Sequence, residues 1–110
     1  MVRLYGLKNC DTCRKAFKTL TGNGFAPEFV DVRKQGVPVA ELARFYDEFG
    51  AALVNTRSTT WRGLDAAARA EDPLALLAAH PALMKRPVID RDGALTLGWG
   101  KDVQAQFLTP

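Results

Sequence analysis

The first 32 residues have the pattern of a β-strand, an α-helix and a second β-strand. The run at 2–6 is short and apolar, the stretch at 11–23 has helical spacing and ends in a Gly-Asn-Gly stop signal, and 27–32 alternates and is rich in β-forming residues. A unit of this kind favours two parallel strands joined by a right-handed crossover. The pattern therefore places the chain in the α/β class.

The rest of the chain adds a helical segment and a β-hairpin. A helix is predicted at 39–49, with its stop at Gly50, and another at 101–108. The Ala-rich stretch 64–84 is predicted to form one or two helices, restarted at Asp72-Pro73, whereas 55–61 looks irregular. Strands are predicted at 86–90 and 94–97, joined by a turn at 91–93. We predict a single domain over residues 1–110, with a four-stranded mixed β-sheet flanked by helices and a helical insertion between its βαβ and ββα halves.

Composition and charge argue against several classes of protein. Apolar residues make up 47% of the chain and charged residues 25%, which is ordinary for a soluble globular protein, and no apolar run approaches the length of a membrane span. No secretory signal is visible, so the cytoplasm is the expected location. The net charge of +3 comes from basic residues interleaved with acids, without the basic run that marks a nucleic-acid arm. A mixed solvated surface explains this pattern, and a small anionic substrate fits the surplus better than DNA does.

Both cysteines, Cys10 and Cys13, lie where the first strand gives way to the first helix. The first N–H groups of a helix lack internal partners and the helix dipole is positive there, so a thiol at that point ionises more easily. Its pKa can fall from about 8.5 into the range of roughly 3.5–7.5. We predict that Cys10, at the helix start, is the attacking thiolate and that Cys13, one turn further on the same face, can resolve the mixed disulfide.

Other interpretations of the cysteine pair are a zinc site, a structural disulfide and two inert core thiols. A zinc site needs about four ligands, and with His80 as the single histidine the chain cannot complete a Cys/His site, so no metal is predicted. A structural disulfide is disfavoured in a reducing compartment. The placement at a helix start argues against inert thiols, so a redox-active pair or a nucleophile is favoured.

Two arginines, Arg57 and Arg86, are the main candidates for binding an anion. Arg57 lies in a polar loop, and Arg86 directly precedes Pro87 at the predicted third strand. Two guanidinium groups near a thiolate would bind an oxyanion bidentately, whereas a lone arginine is ordinarily a surface charge. Asp11 and Thr12, at the helix start, are further candidates for the anion site, although Asp11 is also explained as a favourable acid in the first helical turn.

Four segments, at 4–16, 53–57, 85–88 and 97–99, form a combination that is hard to obtain by chance. They include the Cys-x-x-Cys pair, an Asn-Thr-Arg triplet and a Lys-Arg-Pro triplet. In combination they resemble the arsenate reductase/Spx-like family, and the resemblance spans essentially the whole chain. It is closest to a small, uncharacterised branch of ArsC-like proteins sometimes described as glutathione-dependent thiol reductases.

The resemblance implies a thioredoxin-like fold and a reductase site. Cys10 matches the nucleophile that attacks arsenate in the reductases, after which glutathione reduces the adduct, and Arg57 and Arg86 match arginines that hold the oxyanion. In such a fold the proline that opens the third strand, here Pro87, faces the cysteine, usually after a cis bond, and Asn9 is placed with it in the groove. The implied partners are glutathione or glutaredoxin, with no tightly bound cofactor.

The chain departs from the reductases at two points. Their third arginine, shortly after the last strand, has no counterpart in Gly98-Trp99-Gly100-Lys101. The glutathione-dependent reductases also keep only the first cysteine, while Spx-type regulators, which bind RNA polymerase, carry a Cys-x-x-Cys pair as a redox switch. The predicted function is therefore a glutathione-linked thiol or oxyanion reductase, and the alternative is a redox-switched transcription regulator; a monomer is expected.

Overall fold

The computed structural model describes residues 1–108. The chain forms two compact units, one built from Met1–Asp31 together with the segment from Arg86 onward, and the other from Val32–Lys85. The prediction of one domain over 1–110 stays a prediction, and its last two residues lie outside the described part of the chain. No helix within residues 1–108 is long and apolar enough to cross a membrane.

The first unit contains the whole β-sheet. Its elements are β1 (Val2–Gly6), α1 (Asp11–Gly22), β2 (Glu28–Asp31), β3 (Val88–Arg91), β4 (Ala94–Leu97) and, at the end, a helix at Lys101–Leu108. The strand order is β2-β1-β3-β4, with β1 parallel to β2 and antiparallel to β3, and β3 antiparallel to β4. This confirms the thioredoxin-like α/β fold with a four-stranded mixed sheet that the sequence predicts.

Local sequence accounts for the turns that join these elements. The hairpin between β3 and β4 turns at Asp92 and Gly93, whose φ angles are 52° and 95°. Two consecutive positive φ angles are the requirement of the tight hairpin turn that matches strand twist, and Asp-Gly supplies them readily. The third strand begins at Val88 rather than at residue 86, because Pro87 has no N–H to donate to the ladder.

One apolar core covers the helical face of this sheet. Side chains from β1, α1, β3 and the last helix form it, and its buried members are Val2, Leu4, Cys13, Ala16, Leu20, Ile89, Val103 and Phe107. Alternate residues of β1 and every third or fourth residue of α1 point into it, as strand and helix periodicity require. Partly buried rings of Phe17, Phe25, Phe29 and Trp99 pack around its edge.

The second unit is the helical insertion. It contains α2 (Val39–Phe49), α3 (Thr59–Arg62), α4 (Ala66–Arg69), α5 (Pro73–Ala79) and two single 3₁₀ turns at Gly50–Leu53 and Pro81–Leu83; the helix at Lys101–Leu108 is then α6. The predicted stop at Gly50 and the restart at Asp72 are confirmed, since Gly50 has φ 60° and the Asp72 carboxylate accepts from Ala75 N–H at 3.3 Å. A bridge between Val54 and Met84 ties the two ends of the insertion together.

The interpretation of residues 55–61 as irregular is wrong in part. Thr59–Arg62 is a single helical turn, because the Ser58 hydroxyl accepts the Trp61 N–H at 3.1 Å and caps its start. Further along, Ala66–Arg69 is a second short turn, capped by Asp65. Thr and Trp have no strong helix propensity, so only the cap predicts this turn.

Candidate functional site

Cys10 is the residue that precedes the first helix. Its N–H donates to the Leu7 carbonyl at 3.1 Å, and its own carbonyl accepts the Arg14 N–H at 3.0 Å, which fixes it as the N-cap of α1. The sulfur lies near the N–H of Cys13 but does not form a capping hydrogen bond of normal geometry with the helix. It lies, half-buried, at the positive end of the helix dipole, as the sequence predicts for a reactive thiol.

Cys13 is completely buried beneath the first turn of α1. Its sulfur lies so close to β1 that a Cβ placed on Gly6 would be 2.5 Å from Cys13 Sγ and 3.2 Å from Cys13 Cβ. Gly6 is therefore part of the site, because only a residue without a side chain lets the helix start approach the strand. No sequence pattern singles out Gly6, since its role depends on a contact across two elements.

The surroundings of Cys10 favour its ionised form. Partial burial opposes ionisation, but the Cys13 N–H, the Cys13 thiol and the guanidinium of Arg86 together outweigh that cost and lower the pKa of Cys10. Hydrogen bonds to an anion and a nearby positive charge both stabilise the charged form. The direction agrees with the downward shift expected from the sequence.

Cys13 behaves in the opposite way. Burial, followed by its hydrogen bond to Cys10 and the charge of the Cys10 thiolate, raises the pKa of the Cys13 thiol to about 12. Cys13 therefore keeps its proton at neutral pH and donates it toward Cys10. The two cysteines are free thiols with unequal acidity: Cys10 ionises more easily, and Cys13 stays protonated beside it.

Arg86 reaches the thiol from the segment that enters β3. The Arg86–Pro87 peptide bond is cis, Pro87 is fully buried, and the Pro87 carbonyl accepts the Gly98 N–H at 2.8 Å. The burial of Pro87 and this hydrogen bond hold the backbone from which the half-buried Arg86 side chain approaches Cys10, where its hydrogen bond and charge act on the sulfur. The structure thus brings together Cys10, Cys13 and Arg86, and the part of Arg86 in anion binding stays a prediction.

Replacing Arg86 by glutamine is expected to raise the pKa of Cys10, because both the hydrogen bond and the positive charge of the guanidinium are lost. The ultraviolet absorbance of the thiolate, followed against pH, measures the midpoint directly. Lys85→Gln is the matched control, since Lys85 is exposed and adjacent but does not act on the sulfur. An unchanged midpoint in Arg86→Gln would mean that Arg86 does not stabilise the Cys10 thiolate.

The remaining candidates near Cys10 are exposed. Asn9 lies in the turn before Cys10, and Asp11 and Thr12 begin the helix. The Asp11 carboxylate forms an ion pair with Arg14 one turn on, which is the structural alternative that the sequence left open for it. Roles of Asn9 in a groove and of Asp11 and Thr12 in anion binding stay predictions.

Arg57 lies in the second unit, in the turn that precedes α3. Its side chain is exposed, and its backbone N–H donates to the Asn55 side-chain oxygen at 3.0 Å, which shapes the turn. Asn55 is in turn held by its N–H to the Leu83 carbonyl at 2.8 Å. The loop is thus well tied within its unit, and anion binding by Arg57 stays a prediction.

A metal centre has no ready set of ligands in the part of the chain that the structure describes. Within residues 1–108 no three His, Cys, Asp or Glu side chains lie together as a metal site. The lowered pKa of Cys10 supports the chemistry of a thiolate: attack on a disulfide sulfur or on an electrophilic oxyanion centre.

Comparisons with known proteins give the chain a family context. The model of the ArsC family matches residues 5–107. An uncharacterised protein of Haemophilus influenzae is 40% identical over 97% of this chain and 99% of its own length. The global transcriptional regulator Spx of Bacillus subtilis is 27% identical over 98% of this chain and 87% of its own length. The solution structure of an arsenate reductase (ArsC) related protein from Brucella melitensis superposes with a TM-score of 0.73 at 34% identity, over 99% of this chain and 95% of that one.

Proposed function

The chain belongs to the ArsC family, and we propose that it acts as a glutathione-linked reductase of disulfides or arsenate-like oxyanions. The observation that supports this is the unequal thiol pair: Cys10, with its lowered pKa, beside Cys13, which keeps its proton. A pair of equal buried thiols would be an inert part of the core. The asymmetry singles out Cys10 as the sulfur that ionises more easily, and the thiolate is the nucleophilic form.

The reaction on a disulfide follows from this arrangement. The Cys10 thiolate attacks one sulfur of the substrate, the S–S bond breaks, and the other half leaves as a thiolate while a mixed disulfide forms on Cys10. A second thiol, from glutathione or Cys13, then attacks the mixed disulfide and releases the bound half. Glutathione or glutaredoxin supplies the electrons that return Cys10 to a free thiol.

Glutathione is expected to attack the mixed disulfide faster than Cys13 does. The Cys13 pKa of about 12 leaves very little of it as thiolate at neutral pH, so its attack is slow unless the mixed disulfide changes its surroundings. Loss of the Cys10 negative charge in the mixed disulfide removes one of the causes that raise the Cys13 pKa. Cys13 therefore becomes a more competent resolving thiol after the first step than before it.

The arginines would serve the oxyanion branch of the reaction. Arg86, beside Cys10, would neutralise charge on an attacked oxyanion, and Arg57 is proposed as a second anion-binding guanidinium. The residues 98–101, which lack the third arginine of the reductases, favour disulfides over arsenate as the principal substrate.

An NADPH-coupled assay with glutathione and glutaredoxin tests the proposal. We expect NADPH oxidation that depends on an added disulfide such as hydroxyethyl disulfide, with arsenate scanned in parallel. Cys10→Ser, prepared and assayed identically, supplies the background rate. If neither substrate raises the rate of the wild-type protein above that background, the protein is not a reductase of this class.

A second candidate is a redox-switched regulator of the Spx type that binds RNA polymerase. It is favoured by the Cys10–Cys13 pair together with the similarity to Spx of Bacillus subtilis over 98% of this chain. Capture of RNA polymerase subunits by the immobilised protein, compared in oxidised and reduced states and with Cys13→Ala, tests it. Recovery of no polymerase subunit in either state would exclude this function.

A further inference from the structure

A groove lies between α1 and β2. It is lined by Lys8, Arg14, Phe17 and Phe29, has a volume of about 360 Å³, and is large enough for an organic group of ring size. Lys8 lies two residues before Cys10, and Phe29 lies on β2, the edge strand of the sheet. The groove lies entirely within the first unit.

The groove lies along the helix that Cys10 caps. Cys10, Arg14 and Phe17 follow one another at i, i+4 and i+7, so they form a stripe along one side of α1. Cys10, Phe17 and Phe29 also pack at the edge of the same apolar core. If the half of a disulfide that becomes bonded to Cys10 extends along this stripe, it reaches Phe17 and Phe29.

The floor of the groove is formed by the two phenylalanine rings, and its rim by the two cationic side chains. The rings of Phe17 and Phe29 are half-buried and meet edge to face at 5.7 Å, so they offer a rigid aromatic floor. Arg14 is engaged by Asp11, whereas the described residues offer Lys8 no ion-pair partner. Lys8 is thus the cation of the rim whose charge an acidic ligand would meet.

We propose that the substrate of Cys10 is an organic disulfide in which the half next to the attacked sulfur carries an apolar, preferably aromatic, group and a carboxylate. This rests on the proposed reductase function and names its substrate class. The apolar group would lie on Phe17 and Phe29, and the carboxylate would pair with Lys8. An inorganic oxyanion has no apolar surface to bury, so it would leave this floor unused.

The chemical step is the disulfide exchange already described. The Cys10 thiolate donates its electron pair to the sulfur that carries the apolar acid, that half becomes bonded to Cys10, and the other half leaves as a thiolate. Glutathione then attacks the Cys10 sulfur, which releases the apolar acid as its thiolate and leaves glutathione on Cys10. A second glutathione removes the first as oxidised glutathione and restores the Cys10 thiol.

Three disulfide reagents separate the contributions of ring and charge. Dithiobis(nitrobenzoate) carries an aromatic ring and a carboxylate, dithiodipyridine carries a ring without the carboxylate, and hydroxyethyl disulfide carries neither. The rate of reaction with Cys10 is measured for each reagent, and the ratios between reagents are compared. Because a changed Cys10 pKa alters all three rates together, the ratios report on the groove.

Lys8→Gln tests the charge, and Lys15→Gln is its control. Lys15 is exposed on α1 but does not line the groove, and its loss changes the net charge equally. We expect Lys8→Gln to lower the nitrobenzoate-to-pyridine ratio by about threefold, the effect of one exposed ion pair, while Lys15→Gln leaves it near the wild-type value. Equal ratios in the two variants would overturn the role of Lys8.

Phe17→Leu tests the aromatic floor while keeping an apolar side chain in place. We expect the rates with both aromatic reagents to fall about fivefold relative to hydroxyethyl disulfide, because ring-on-ring contact is lost. Unchanged ratios in a variant that unfolds at the wild-type temperature would overturn the groove. A wild-type protein whose Cys10 reacts with none of the three reagents would instead overturn the reductase function, and the substrate class with it.

Discussion

Replacing Cys10 by serine is expected to lower turnover by roughly a thousandfold or more, whereas Cys13→Ala should lower it by only about tenfold. Cys10 supplies the nucleophile. A serine hydroxyl at the same place stays protonated and has no sulfur with which to form a mixed disulfide. Cys13 acts through Cys10: its N–H and thiol are among the causes that lower the pKa of Cys10. Cys13→Ala keeps the N–H and loses only the thiol.

The two variants are distinguished by kcat/KM against pH and by the mass of trapped adducts. In Cys13→Ala the acid limb of the profile should move to higher pH, because the pKa of Cys10 rises when the thiol donor is lost. Cys10→Ser should form no mixed disulfide with any substrate at any pH. A Cys10→Ser protein that turns over at the wild-type rate, beside an inactive Cys13→Ala, would exchange the roles of the two cysteines.

The parts of this structure that could be predicted are those fixed by neighbours along the chain. The start of α1 at Asp11, the stop at Gly50, the cap at Asp72 and the hairpin turn at Asp92 each depend on one or two adjacent residues. The acidity of Cys10 was predictable in direction because a helix start affects a thiol through backbone groups alone. The parallel pair of β1 with β2 and the hairpin of β3 with β4 were predictable as well, because each joins consecutive strands.

The rest depends on contacts between elements far apart in sequence. Arg86 reaches Cys10 because β3 pairs with β1, in a register that sets Val88 opposite Tyr5. Phe29 meets Phe17 because β2 pairs with β1, with Phe29 opposite Leu4. The hydrophobic pattern of a single segment does not determine how two strands align, so these contacts could not be predicted from the sequence.

Gly6→Ala is expected to destabilise the protein by about 1–3 kcal/mol, although it adds a single methyl group. The new Cβ would lie 2.5 Å from Cys13 Sγ and 3.3 Å from a methyl of Leu4, and all three residues are buried. Cys13 is completely buried, so its sulfur has no open space to move into. Gly22→Ala is the matched control, because a Cβ there meets nothing within 4 Å and alanine suits a helix better than glycine.

A double-mutant cycle assigns the cost to this one contact. Cys13→Ala removes the sulfur that Gly6→Ala would strike, so Gly6→Ala should cost less in the Cys13→Ala background than in the wild type, with a coupling of about 1 kcal/mol or more by urea unfolding. The rescue is incomplete, because Cys13 Cβ would still lie 3.2 Å from the new methyl group. Additive effects would mean that Gly6→Ala acts elsewhere. A coupled result would assign the cost to the contact between Gly6 and Cys13, the residue whose N–H and thiol lower the pKa of Cys10.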